Sequence, residues 1–384
     1  MKYMMLKEVC SIKMGQSPAS DSYNDNGEGI PFFQGNADFG ERYPVARQWC
    51  SAPIKMAEPE DILISVRAPI GALNYAKEEC CIGRGLAALT PNKSKISPEF
   101  MFWLLKGKTA ELNSKGTGST FKAISRKVLE EILVPDIGID QQAEYSAILE
   151  KINGIIQLRK QELQKLDELI KSRFIEMFGD PMTNPYNLPK VILGSVLTIE
   201  PQNGLYKPQS DYVSDGTGVP ILRIDSFYEG KVSNLSSLRR LICSEIELKR
   251  YSLYENDIVI NRVNSIEYLG KCGLIQGLVE NTIFESNMMR LHVDEHKFHP
   301  VYITKLLCSE FIYQQILRRA KKAVNQASIN QKDVQSFVVY MPPIEQQDQF
   351  AAFVKQTDKS KAVIQKSLDE TQTLFDCLMQ KYFG

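Results

Sequence analysis

IDQQAEYSAILEKINGIIQLRKQELQKLDELIKSRFIEMFG, residues 139–179, returns 205 positions later and without a gap as residues 344–384. Ile139/Ile344, Gln141/Gln346, Gln142/Gln347, Ala147/Ala352, Leu163/Leu368, Leu169/Leu374, Phe178/Phe383 and Gly179/Gly384 are identical. Both copies lack proline, are rich in Gln, Lys, Glu and Leu, and open in an acidic setting that suits a helix start, so each predicts a long helix. Ile152, Ile156, Leu163, Leu166, Ile170 and Met177 follow a four-three alternation interrupted by Arg159 and Arg173, the seam of a coiled coil. The second copy fills that track with Thr357, Lys361, Ile364, Leu368, Thr371, Phe375, Leu378 and Tyr382. Aliphatic Ile364 and Leu378 stand where the first copy has Arg159 and Arg173, so the two helices are expected to pair with each other rather than each only on its own domain.

The repeat reaches beyond the helices. Leu6–Ile12 matches Leu193–Ile199, Gly29-Ile30-Pro31 matches Gly218-Val219-Pro220, Asp61–Ile64 matches Asp257–Ile260, and Pro98–Leu105 matches Pro300–Leu307. The offset only grows, from 187 to 205, so two globular units share one order of elements and the second carries about 18 more residues, expected in loops. Strands are expected over 62–66, 81–89, 258–263, 274–275 and 288–293, and helices over 100–106 and 301–320. The fold class is α+β. The expected boundaries are a globular unit at 1–138, a long helix at 139–179, a second unit at 180–343 and a second helix at 344–384. Three prolines and Gly179 make residues 178–189 a linker. Asn184-Pro185-Tyr186 lacks the second proline of a methylase N-P-P-Y motif and reads as punctuation. Short connections would force the helices antiparallel, a pseudo-twofold dumbbell with its units roughly 55 Å apart.

A chain of 384 residues fits two or three domains. It has 46 basic and 46 acidic residues, so any nucleic-acid contact must come from local basic patches. Eight cysteines without C-x-x-C spacing suggest reduced thiols. Lys2, Lys7 and Glu8 interrupt the apolar start, which argues against a signal peptide or membrane span, and a cytoplasmic location is expected.

Enzyme motifs are missing: there is no P-loop, no G-x-G-x-x-G and no H-E-x-x-H. Gly116-Thr117-Gly118-Ser119 follows no clear strand, and Glu130-Glu131 reads as solvated surface. His292, His296 and His299 with Cys308 match no common zinc spacing. What repeats is a set of polar and basic loops. Lys115, Lys122 and neighbouring basic residues surround Ser119 and Thr120, while Arg318, Arg319, Lys321 and Lys322 precede Asn325 and Gln326. Gln34 and Asn36, with Arg223 and Asp225, follow the repeated Gly-x-Pro turn. Arg67 and Arg84, with Asn261, Arg262 and Asn264, flank strand ends. Such groups neutralise phosphates and bond base edges in the major groove, and their recurrence at matched places makes them the candidate DNA-binding residues. No catalytic or metal-binding residue is expected.

The stretch Asp61–Gly71, the Gly29-Ile30-Pro31 turn, the Phe178-Gly179-Asp180-Pro181 linker with Asn184-Pro185, and the Pro342–Gln347 helix start resemble the DNA specificity subunit of type I restriction-modification systems. The resemblance covers the whole chain. It implies two target-recognition domains, each reading one half of a split double-stranded DNA site, and paired helices that set the spacer and dock two methyltransferase subunits. Those partners would bind S-adenosylmethionine and methylate adenine, and motor-nuclease subunits would join them. This chain would hold no cofactor and catalyse nothing. Two departures stand out: Asn261–Ile266 replaces Ser65–Ile70, which puts the equivalence of Arg67 and Arg262 in doubt, and Pro135-Asp136-Ile137-Gly138 replaces a double proline. The competing reading is a coiled-coil scaffold that binds proteins rather than DNA.

Overall fold

A computed structural model describes residues 2–118, 122–232 and 235–384. The chain divides into two compact units, Met1–Glu162 with Ile364–Gly384, and Leu163–Val363. The repeated stretches form continuous helices, Ile139–Phe178 and Ile344–Phe383, and each unit holds part of both.

In the first unit the Tyr145 ring stacks on Tyr382 with centroids 3.8 Å apart. In the second, Asp167 pairs with Lys361, Phe174 and Phe178 lie 5.5 and 5.6 Å from Phe350, and the Arg173 guanidinium sits over Phe353. Within that unit, rising numbers on one helix meet falling numbers on the other, so the helices run antiparallel. Every seam position read from the four-three spacing is buried or half-buried, Arg159 and Arg173 included, whereas Leu158, the residue before Arg159, is 61% exposed.

The long helices also pack on the globular parts, and the identical residues of the repeat do this. Buried Gln142 accepts from the Ser97 backbone N–H (2.9 Å) and donates to Lys95 O and Ile137 O. Buried Gln347 accepts from His299 N–H (2.9 Å) and donates to Lys297 O and Pro342 O. In both units one amide therefore fastens the start of a long helix to the cap of a short one, Pro98–Gly107 or Pro300–Leu307. At the other helix ends, Phe383 packs on Phe100 (5.2 Å) and Phe178 on Tyr302 (4.7 Å). Gly179 closes the first long helix at φ +76°, where a Cβ would strike the Pro185 ring at 2.6 Å. Asn184 then braces the turn, its side chain bonding both N–H and C=O of Leu188.

Each unit repeats one sheet plan. In the first, a four-stranded sheet runs Cys10–Met14, Leu86–Pro91, Ile62–Ser65, Leu73–Tyr75. In the second, the matching strands Gln202–Asn203, Met288–Leu291, Ile258–Asn261 and Cys272–Leu274 are extended by Gly230–Val232 and Phe227–Tyr228. The second unit's additional residues thus build structure as well as loops, including the capped helix Glu245–Tyr251. A second sheet in each unit centres on the strand of the Gly-x-Pro turn. Ile30–Phe33 pairs antiparallel with Trp49–Cys50 and parallel with Cys80–Ile82; Val219–Leu222 does the same with Arg240–Leu241 and Ile283–Phe284. The glycine is required: Gly29 and Gly218 have positive φ, and a Cβ would lie 2.3 Å from Cys50 O or Leu241 O.

The repeated Asp61 and Asp257 are each 1% exposed and accept from the backbone N–H three residues earlier, at 2.9 and 2.8 Å. Asp257 also meets the His292 ring (2.9 Å), and His299 caps its helix by accepting from Val301 N–H. Two histidines of the zinc-like cluster are therefore structural, and the described residues include no group of ligands able to hold a metal ion. Glu130 pairs with Arg126 and Glu131 with Lys127, as surface carboxylates do.

Two expected elements divide. Residues 81–89 form two strands, parted at Gly83-Arg84-Gly85. Residues 301–320 form two helices, Pro300–Leu307 and Glu310–Arg319, because extended Ser309 starts the second. Among the described residues no helix is long and apolar enough to cross a membrane.

Candidate nucleic-acid interface

Beyond the central strand of the main sheet, each unit builds a small ribbon. In the first unit Arg67 bridges Ala123, which bridges Thr117 in turn; Ala68 N–H donates to Lys122 O and Ile124 N–H to Val66 O. In the second, Val263-Asn264 pairs with Ala327-Ser328, which pairs with Lys321-Lys322, and Ile329 N–H donates to Arg262 O. The matching bonds align Val66 with Arg262 and Arg67 with Val263. Arg67 and Arg262 are thus not equivalent, as the changed motif already implied.

The ribbon hairpins carry many of the candidates. Lys122 is exposed beside Arg67, while Ser119 and Thr120 lie outside the described residues. Lys115 is exposed and paired with Glu111 at 2.6 Å, which offsets its charge. In the second unit Lys321, Lys322, Asn325 and Gln326 are all exposed, and Asn264 lies in the cross-strand row of Ala327 and Lys322. Ala323 N–H donates to Gln326 O at 2.7 Å, closing a tip whose Val324 is 99% exposed. Val324 had no polar signature by which to be noticed.

A cleft of about 420 Å³ in the first unit gathers Gln34, Asn36 and Arg67, three residues spread over the sequence, and adds Asp38 and Gln48 to its wall. Asp38 Oδ2 accepts from Gln34 N–H at 2.8 Å and shapes the loop. Arg84 is exposed between Gly83 and Gly85, the latter lining the same cleft. In the second unit the loop is braced differently. Glu285, 8% exposed, accepts from Ile224 N–H (2.8 Å) and Arg223 Nε (3.3 Å), and Arg223 also lies 6.0 Å from the Tyr212 ring. Arg223 is therefore half-buried and engaged, with exposed Asp225 beside it. Arg262 is likewise half-buried, donating to Ser286 O at 3.0 Å.

Asn261 requires correction as a DNA-facing residue. It is 1% exposed on the central strand, where it aligns with buried Ser65, and its amide donates weakly to Tyr268 O at 3.4 Å. Both faces of this central strand are covered, every residue from Ile258 to Asn261 being buried, so the side chain belongs to the core.

A two-stranded β-ribbon fits the major groove, and exposed Lys, Asn and Gln at its tip suit phosphates and base edges. The described ribbon residues differ between units, Arg67 and Lys122 in one against Asn264, Lys321 and Lys322 in the other, so two similar scaffolds present different chemistry.

The family model of the type I restriction modification DNA specificity domain matches residues 1–168 and again 187–372. Among curated proteins, the provisionally named type I restriction enzyme MjaX specificity subunit of Methanocaldococcus jannaschii is 42% identical over 160 residues, 42% of this chain and 38% of that one. The match therefore spans well under half of that relative. The EcoKI specificity subunit of Escherichia coli is 26% identical over 85% of this chain and 74% of its own. The solved type I S subunit from M. genitalium shares the fold with a TM-score of 0.62 at 13% identity, covering 100% of this chain and 96% of that one.

Proposed function

This chain belongs to the family of type I restriction modification DNA specificity domains, and from that premise we propose that it is the DNA-recognition subunit of a restriction-modification complex. Each unit reads one half of a bipartite, non-palindromic site, and the number of helical residues between the readers sets the gap. The observation that carries this reading is the ribbon and neighbouring loop repeated in both units with different residues at matched positions. A protein-binding scaffold gives no reason for exposed Lys321, Lys322, Asn325 and Gln326 on one ribbon and exposed Arg67 and Lys122 on its counterpart.

The chain itself performs no catalysis. The paired helices dock methyltransferase subunits, which bind S-adenosylmethionine and methylate adenine, and motor-nuclease subunits complete the assembly. Selection from random duplexes by gel shift, with the methyltransferase subunits present, tests the proposal. Two enriched blocks at a constant separation support it; retention of duplexes without sequence enrichment favours the scaffold.

A further inference from the structure

The second unit contains an open pocket of about 610 Å³ whose wall includes Cys272, Cys308, Lys271 and Lys305. Cys272 is wholly buried on the strand Cys272–Leu274, while Cys308 follows the helix Pro300–Leu307 at the exposed rim. Their sulfurs lie 3.3 Å apart. Lys305 stands one helical turn before Cys308, fixed by donation to Glu229 O at 3.0 Å.

Nothing in the shared scaffold demands this pair. Strand register aligns Cys272 with Leu73, and the repeated short helix aligns Cys308 with Lys106, so the first unit builds the same elements without either thiol. Cys50 and Cys81 also adjoin in the first unit, but both are 0% exposed within the core. Among the described residues, the second unit alone sets a cysteine at the rim of a pocket against a buried one.

We propose that Cys308 and Cys272 form a reversible oxidation site, with Cys308 as the thiolate that reacts with a hydroperoxide and Cys272 as the thiol that resolves it. Cys308 sulfur attacks the peroxide, breaking its O–O bond; Cys308 becomes a sulfenic acid and the peroxide leaves as an alcohol, or as water from hydrogen peroxide. Cys272 sulfur then displaces the sulfenic oxygen as water, forming the disulfide. Two thiols lose two hydrogens and one peroxide bond is reduced. The hydrogen bond from Cys272 holds the Cys308 thiol below its ordinary range, and Lys305 adds to this. The same bond, with burial, holds Cys272 protonated. The product would clip the sheet to the end of the short helix beneath the long helix residues Ile170 and Phe174, which line the same pocket.

The test uses the full-length chain, reduced, freed of reductant and exposed to equimolar hydrogen peroxide before alkylation and non-reducing tryptic digestion. Peptides 272–290 and 306–318 should appear joined, releasable by dithiothreitol, and should accumulate about tenfold faster than oxidation of exposed Cys377, which has no resolving thiol nearby in sequence. In Cys272→Ala, Cys308 should stop at a sulfenic acid that dimedone traps. Oxidation of Cys308 no faster than Cys377, or its appearance in disulfides with other cysteines instead, overturns the proposal.

Discussion

Replacing Gln347 by Met keeps the side chain's length and removes its polar atoms from a site that is 0% exposed. Three hydrogen bonds disappear: acceptance from His299 N–H and donation to Lys297 O and Pro342 O, at 2.9, 3.0 and 2.8 Å. Each buried backbone group left without a partner costs about 1–3 kcal/mol, with carbonyls at the lower end, so the loss should be about 3–5 kcal/mol. That is a large share of the roughly 5–15 kcal/mol that holds a folded domain. Urea unfolding followed by circular dichroism measures it. The neighbouring Gln346 is also identical in the repeat but exposed, so Gln346→Met should change stability by less than about 0.5 kcal/mol. A loss below about 1 kcal/mol for Gln347→Met, or equal losses for both variants, would refute the idea that this amide fastens helix to domain.

Two further outcomes follow from the same structure. Changing Lys321 and Lys322 together to Ala should weaken DNA binding uniformly across sequences and reduce the log–log salt slope by about 2, one unit for each phosphate no longer neutralised; gel shifts at several salt concentrations measure this, and an unchanged slope makes these lysines ordinary surface. Burial holds the His299 imidazole below its ordinary 6.5, and the ring must be neutral to accept from Val301 N–H. Below pH 6.5 the unfolded chain therefore takes up a proton that the folded chain refuses, and stability falls as pH drops until the folded pKa is passed. His299→Asn, which can still cap, should lose less stability between about pH 7.5 and 5.5 than the parent in urea unfolding; equal losses would remove His299 from that dependence.

Much of the scaffold was legible because it repeats. The four-three seam located the buried face of both long helices down to Arg159 and Arg173, since heptad spacing is a property of one helix and its nearest neighbour. The Gly-x-Pro turn and the Asp before each central strand were legible as repeats, though their cause, a blocked Cβ and a buried carboxylate cap, emerges only in three dimensions. The ribbons were not legible. They consist of single bridges in one unit and two-residue strands in the other, and join residue 66 to 124 and 262 to 329, so no local periodicity announces them. Asn261 was grouped with Arg262 and Asn264 at a strand end, and only the strand register shows that it shares its place with buried Ser65. Arg223 could not be known to face Glu285, which lies 62 positions away.

Mapping methylated adenines across the genome of cells carrying the complex, with this chain intact or with Arg67→Ala, tests the central claim most directly. The intact chain should mark one bipartite, asymmetric sequence with a constant gap. Arg67→Ala should relax bases in one half by about 1–3 kcal/mol of discrimination and leave the other half and the gap unchanged. Marks without two separated blocks, or an Arg67 effect spread over both halves, would contradict the account of two independent readers on one repeated scaffold.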